Sequence, residues 1–137
     1  SLFIDPVHML RLSIPGIRFY SQAAKELIEK VVKSNDVVVF MKGSASAPQC
    51  GFSRAVCQVL ELNSVNKFTT VNVLEDEDVR AEIKQFTNWP TIPQVFVKGN
   101  FIGGCDIMIE MHKNGELEKL LKREGIVSDS SDKQESK

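Results

Sequence analysis

The residues with the clearest chemical potential lie in PQCGFSRAVC, residues 48–57. Cys50 is followed by a small residue, an aromatic and a hydroxyl, and then by helical spacing. A dithiol redox site would carry a second cysteine where Ser53 stands, so Cys50 must find its partner elsewhere. A sulfur between a strand's exit loop and a helix start faces unpaired backbone N–H groups and the positive end of the helix dipole. Both favour thiolate, so the Cys50 pKa is expected below the free-cysteine value of ~8.5. Lys42, at the end of the preceding strand, adds positive charge. On position alone, an inert small residue at a helix start competes with this reading. Cys57, beside Val56 and Val59, reads as a packing cysteine. An axial offset of ~10 Å forbids an intrahelical disulfide between Cys50 and Cys57.

Two further stretches belong with Cys50. In NWPTIPQVF (88–96), Pro93 precedes a strand, and a cis Ile92–Pro93 bond suits a tight turn. The amide and carbonyl of Ile92 would then face outward, free to pair with an extended peptide. An ordinary strand-initiating proline fits the same residues. In GGCD (103–106), two glycines permit close approach, and the amides of Cys105 and Asp106 at a helix start make a carboxylate site. The Asp106 side chain can accept from an ammonium group; taken alone it reads equally as a helix cap. Together these features ask for an extended peptide with a thiol, an amino-carboxylate end and a second carboxylate, the last for Lys42 and Lys84. Glutathione has those groups.

The elements that must position these residues follow from periodicity. QAAKELIEKVVKSND places Ala23, Ala24, Leu27, Ile28, Val31 and Val32 on one helical face, with Ser34-Asn35-Asp36 as the stop. VVVFMK (37–42) is a strand buried on both faces. GSASAPQ is a loop, and GFSRAVCQVLELN returns to helical spacing through Phe52, Val56, Val59 and Leu60. FTTVNV (68–73) is a second strand. Asp76–Phe86 is a helix with acids in its first turn and Val79, Ile83 and Phe86 inward. QVFVKGNFIGG is a hairpin turning at Lys98-Gly99-Asn100. Asp106–His112 and Glu116–Arg123 form a helix broken at Asn114-Gly115, and Gly125 is its stop. A right-handed crossover between the first two strands, followed by a hairpin, gives an α/β fold. Its four-stranded mixed sheet carries helices on both faces, the thioredoxin-like architecture.

The 137 residues are 42% hydrophobic and 26% charged, the balance of one ordinary globular domain. A net charge of −1 argues against a general polyanion binder. No apolar run approaches the ~20 residues of a membrane span. Three cysteines are too few for a secreted disulfide framework and fit a reducing compartment. MLRLSIPGIRFYS (9–21) carries two arginines, two prominent serines and no acid, the composition of an organellar transit peptide. Arg18-Phe19-Tyr20 before Ser21 resembles a mitochondrial processing site; a disordered arm is the plainer reading. Pro15 and Gly16 keep any targeting helix short. Ser1–His8 contains Asp5 and no lysine or arginine, so Met9 is expected to be the native start, with residues 1–8 derived from an expression vector. Residues 128–137 lack apolar side chains and are expected to be a disordered tail.

CGFS, NWPTIPQVFVKGNFIGGCD and VVVFMKG together resemble the monothiol glutaredoxins, specifically the single-domain mitochondrial type. The resemblance covers residues 21–127, which would be the glutaredoxin domain, with 1–20 disordered: vector-derived residues followed by a mitochondrial transit segment. It implies that Cys50 is the glutathione-reactive thiol and a cluster ligand. Lys42 and Lys84 would contact the glycine carboxylate of glutathione, with Gln49 or Arg80 assisting. Phe52 would flank the ligand, Ile92 before cis-Pro93 would pair with its cysteinyl backbone, and Cys105 and Asp106 would hold its γ-glutamyl end. It further implies a 2Fe–2S cluster bridged between two protomers in the mitochondrial matrix, ligated by Cys50 of each and by two glutathiones. Implied partners are a J-protein/Hsp70 pair, a BolA-like protein and A-type carriers.

Two functions remain in play on the residues themselves. As a carrier, one thiolate per chain cannot complete the four sulfur ligands of a 2Fe–2S cluster, but two chains and two glutathiones can. As a glutathione-dependent oxidoreductase, Cys50 would attack a glutathionylated protein and a second glutathione would release it. A Cys50–Cys105 disulfide that protects or senses is a third. The carrier is favoured, chiefly from the resemblance.

Overall fold

The structure, a computed structural model, describes residues 16–128. The expected vector-derived residues 1–8, most of the targeting stretch and the tail beyond Ser128 lie outside the described residues. Five helices and four strands follow in the order α1 (Gly16–Ser34), β1 (Val37–Met41), α2 (Gly51–Leu62), β2 (Thr69–Asn72), α3 (Glu77–Thr87), β3 (Gln94–Val97), β4 (Asn100–Gly103), α4 (Cys105–Lys113) and α5 (Glu116–Arg123). The sheet runs β2-β1-β3-β4. β1 is parallel to β2 and antiparallel to β3, and β3 is antiparallel to β4. This is the thioredoxin-like mixed sheet expected from element order.

β1 is buried at all five positions because alternate side chains feed opposite cores. Val37, Val39 and Met41 join Val56, Leu60, Met108, Leu117 and Leu121 under α2, α4 and α5. Val38 and Phe40 join Ile28, Val32, Val79, Ile83 and Phe96 under α1 and α3. Phe40 and Phe96 meet edge to face at 5.6 Å between centroids.

Four local features differ from the sequence reading. α1 starts at Gly16, five positions ahead of the boundary expected at Ser21, because no proline or glycine interrupts propagation from Ile17 onward. Its buried stripe is narrower: Ala24, Ile28 and Val32 are buried, while Ala23 is exposed and Leu27 is 44% exposed. α1 leans chiefly on α3, so only one narrow face is covered. β2 ends at Asn72, and residues 73–75 tighten into a 3₁₀ turn that Asn72 caps through the Leu74 N–H. The hairpin turns on two residues, with Asn100 already in β4 opposite Val97. Both Lys98 (φ 52°) and Gly99 (φ 83°) are left-handed, as a tight hairpin turn demands. Asp36 supports Lys98 there: its carbonyl accepts the Lys98 N–H at 2.7 Å and its carboxylate meets Lys98 Nζ at 3.2 Å.

Candidate functional site

Cys50 is the N-cap of α2, in extended conformation, and its carbonyl accepts the Arg54 N–H at 3.0 Å. Its sulfur makes no formal capping hydrogen bond, yet the α2 N-terminus still acts on it. Burial pushes the Cys50 thiol up. The N–H groups of Ser53 and Phe52, the Ser53 hydroxyl and the Lys42 ammonium oppose this, and the net displacement is below the ordinary value. The other thiols move the opposite way. Burial, then Glu61, raises Cys57; burial, then Asp106 and Cys50, raises Cys105. All three are free thiols. Cys57 is buried, 3.7 Å from Met41 Sδ, as a packing residue should be.

Ser53 stands where a dithiol site would have its second cysteine, and it is fully buried. Its Oγ accepts the Lys42 N–H at 3.1 Å. One hydroxyl therefore joins the end of β1 to the first turn of α2 directly beneath Cys50. The 43–49 loop folds back on the same point: Gln49 N–H donates to the Lys42 carbonyl at 2.8 Å, and Gly43 bridges to Pro48.

A cleft of about 390 Å³ opens beside this helix start. Lys42, Arg80 and Lys84 supply positive charge to its lining, and Asp106 supplies negative charge. Phe52, Cys105 and the 89–93 segment complete most of the wall. Gln49 is not among the lining residues; its N–H is used in the loop. Cys50 is likewise not among the lining residues, but Lys42 and Phe52, which act on it, are, and its charge acts on Cys105. Phe52 is 63% exposed, so its ring flanks the cleft rather than entering the core its helical spacing suggested.

The Ile92–Pro93 bond is cis. Among the described residues, no hydrogen bond engages the Ile92 main chain. Fully buried Gln94 anchors the segment from behind. Its Nε2 donates to the Trp89 carbonyl at 3.0 Å and to the Thr91 carbonyl at 3.1 Å, while its Oε1 accepts from the Thr87 hydroxyl at 2.8 Å. Across the cleft, α4 begins at Cys105 with Gly104 as its N-cap, so Asp106 lines the cleft from the first turn and is not the cap.

The glutaredoxin family model matches residues 37–102. Monothiol glutaredoxin-5, mitochondrial, of Schizosaccharomyces pombe is 45% identical over 108 residues, covering 77% of this chain and 74% of its own length. The chain belongs to the monothiol glutaredoxin family. Glutaredoxin-related protein 5, mitochondrial, of Danio rerio is 52% identical, with 79% of this chain and 70% of the relative covered. Reduced apo GrxS14 of poplar superposes with a TM-score of 0.68 at 44% identity, covering 79% of this chain and 98% of that one. A buckwheat glutaredoxin–glutathione complex superposes with a TM-score of 0.70 at 28% identity, covering 80% and 96%.

In this monothiol glutaredoxin, Lys42, Phe52, Lys84, Ile92, Pro93, Cys105 and Asp106, read from sequence, converge on one cleft with Cys50 at its edge. Sequence reasoning missed the supports, Ser53 as an acceptor, Gln94 and Trp89. A serine in the apolar stripe Ser53-Val56-Cys57-Leu60 was the available signal, since a polar residue on a buried face needs a partner.

Two predictions arise here. Alkylation by iodoacetamide, followed by peptide mapping, should label Cys50 first at neutral pH. Its rate should rise to a plateau at lower pH than those of Cys105 and Cys57, because only the thiolate reacts. Equal midpoints would contradict the site electrostatics. The second concerns Gly104, where a Cβ would lie 2.9 Å from Trp89 Nε1 and 3.2 Å from the Pro93 carbonyl oxygen. Gly104→Ala should therefore displace the indole and change the emission of Trp89, the sole tryptophan. An unchanged emission spectrum would show that the contact is slack.

Proposed function

We propose that this chain binds glutathione in the cleft beside Cys50 and carries a 2Fe–2S cluster between two protomers, delivering it to acceptor proteins in mitochondrial iron–sulfur biogenesis. The observation that carries the reading is one activated thiol, Cys50, backed by Ser53 instead of a second thiol, beside a cleft charged oppositely at different walls. Glutathione fits that cleft by chemistry. Lys42 and Lys84, with Arg80, suit its glycine carboxylate. The free main chain of Ile92, before Pro93, suits its peptide backbone. Asp106 and the α4 N-terminus at Cys105 suit its γ-glutamyl ammonium and carboxylate, and Phe52 flanks it.

The cluster is cargo, and its ligand count dictates the assembly. Among the described residues no group of three or more histidine, cysteine or carboxylate side chains could hold a metal. The family resemblance supplies the set proposed for the four sulfurs: Cys50 from each of two chains and a thiol from each of two glutathiones. External thiol ligands exchange readily, which suits delivery. Mitochondrial relatives support a matrix location, with a targeting segment within residues 9–20, residues 21–127 as the glutaredoxin domain and 128–137 as a tail. Chaperones of the J-protein/Hsp70 type, a BolA-like protein and A-type carriers are the partners proposed.

The lowered Cys50 pKa also favours glutathione-dependent oxidoreduction. The Cys50 thiolate attacks the glutathione sulfur of a glutathionylated protein, whose thiolate leaves. A second glutathione thiolate attacks the same sulfur, releasing oxidised glutathione and Cys50 thiolate. Anaerobic reconstitution with iron and sulfide separates the roles. Visible cluster absorption should appear with glutathione and fail without it, while turnover of a glutathionylated peptide stays slow. Fast turnover without a chromophore would make the enzyme reading the correct one.

A further inference from the structure

Asn72 makes two main-chain hydrogen bonds that no step of the chemistry above uses. It ends β2 and lies opposite Met41 in the parallel register, one residue before Lys42. Its Oδ1 accepts the Gly43 N–H at 2.9 Å and the Leu74 N–H at 3.0 Å. With the bonds from Ser53 and Gln49, three successive main-chain groups about Lys42 are held: its N–H, its carbonyl and the Gly43 N–H.

Gly43 is the weak point of this arrangement. Its φ is +95°, and a Cβ there would lie 2.5 Å from the Ala47 carbonyl oxygen and 2.7 Å from the Gln49 nitrogen. Only glycine fits. Glycine visits both signs of φ about equally, so its own sterics do not select this conformation. Hydrogen bonds must do so, and Asn72 supplies the one made by the Gly43 N–H, from outside the loop. We propose that Asn72 is a positioning residue for the glutathione site: by holding Gly43 it sets the course of the 43–49 loop and the placement of Lys42 beside Cys50. The proposal rests on the reading of the cleft as a glutathione site. Asn72 itself does not line the cleft, so it acts through the main chain.

The requirement is for one oxygen on which two N–H groups converge. Asn72→Asp keeps that oxygen; Asn72→Ala removes it. Three measurements on the full chain test this: Cys50 alkylation against pH, glutathione affinity by calorimetry, and thermal melting. In Asn72→Ala the alkylation midpoint should rise and the rate at neutral pH should fall, as Lys42 moves away from Cys50. Glutathione affinity should fall about fivefold as a charge-assisted contact is misplaced. Asn72→Asp should remain within about twofold of wild type in affinity, since its hydrogen bonds are retained. An alanine variant that melts lower but keeps both the midpoint and the affinity overturns the proposal, as does an aspartate variant that behaves like alanine. If Asn72→Ala does not fold, Asn72→Ser takes its place with the same readings, its hydroxyl being too short to reach both N–H groups. Should wild type itself fail to bind glutathione, the reading of the cleft falls and the proposal falls with it; wild-type binding that Asn72→Ala leaves unchanged overturns the proposal alone.

Discussion

Cys50→Ser is expected to abolish cluster absorption after anaerobic reconstitution while leaving the melting temperature within about 2 °C of wild type. The two effects separate because the residue has two jobs. As the N-cap of α2, it occupies a position where serine is among the preferred residues, so the helix keeps its start. In its proposed role as a ligand, it would supply the protein's sulfur to iron, and a serine hydroxyl does not replace a thiolate there. Visible spectra and melting curves on the same preparations check both halves. Full absorption in the serine variant would move the cluster to another thiol; Cys105 would then be the one to test.

Gln94→Leu should have the largest effect on stability. The side chain is fully buried and nearly matched in volume by leucine, so no large cavity opens. What is lost is pairing: the Trp89 and Thr91 carbonyls both lose their donor. The Thr87 hydroxyl loses one acceptor but retains the Ile83 carbonyl at 3.0 Å. Two part-buried carbonyls left without that donor cost about 3 kcal/mol together. In a domain of this size that lowers the melting temperature by about 10–20 °C. Glutathione affinity measured well below the new transition should also fall, because residues 89–93 form one wall of the cleft. A loss below about 1 kcal/mol would mean that other donors, such as solvent, take over the carbonyls.

The motif residues were legible in sequence because their chemistry is local. A cysteine at a helix start, a proline before a strand and a Gly-Gly before a helix each carry a reason that needs few neighbours. Their convergence was legible only through the order of elements, which brings the ends of β1 and α3 and the starts of β3 and α4 to one end of the sheet. The supports were not legible in the same way. Asn72 reads as a position inside a strand and Gln94 as the start of one. Their hydrogen bonds reach Gly43, 29 residues back along the chain, and the 87–91 turn, and those reaches depend on register and on the 3₁₀ turn after β2. Ser53 could be read as a missing cysteine, but its partnership with the Lys42 N–H requires the β1–α2 packing to be known. The narrow buried stripe of α1 depends likewise on which neighbours cover it, and not on its own spacing.

The central claim is that one thiol per chain becomes one quarter of a shared cluster site. Native mass spectrometry of the anaerobically reconstituted protein tests this most directly. Two protomers, two glutathiones and a single 2Fe–2S cluster should appear in one species, collapsing to monomers when glutathione is removed. A cluster held by one protomer, or by two protomers without glutathione, would contradict it.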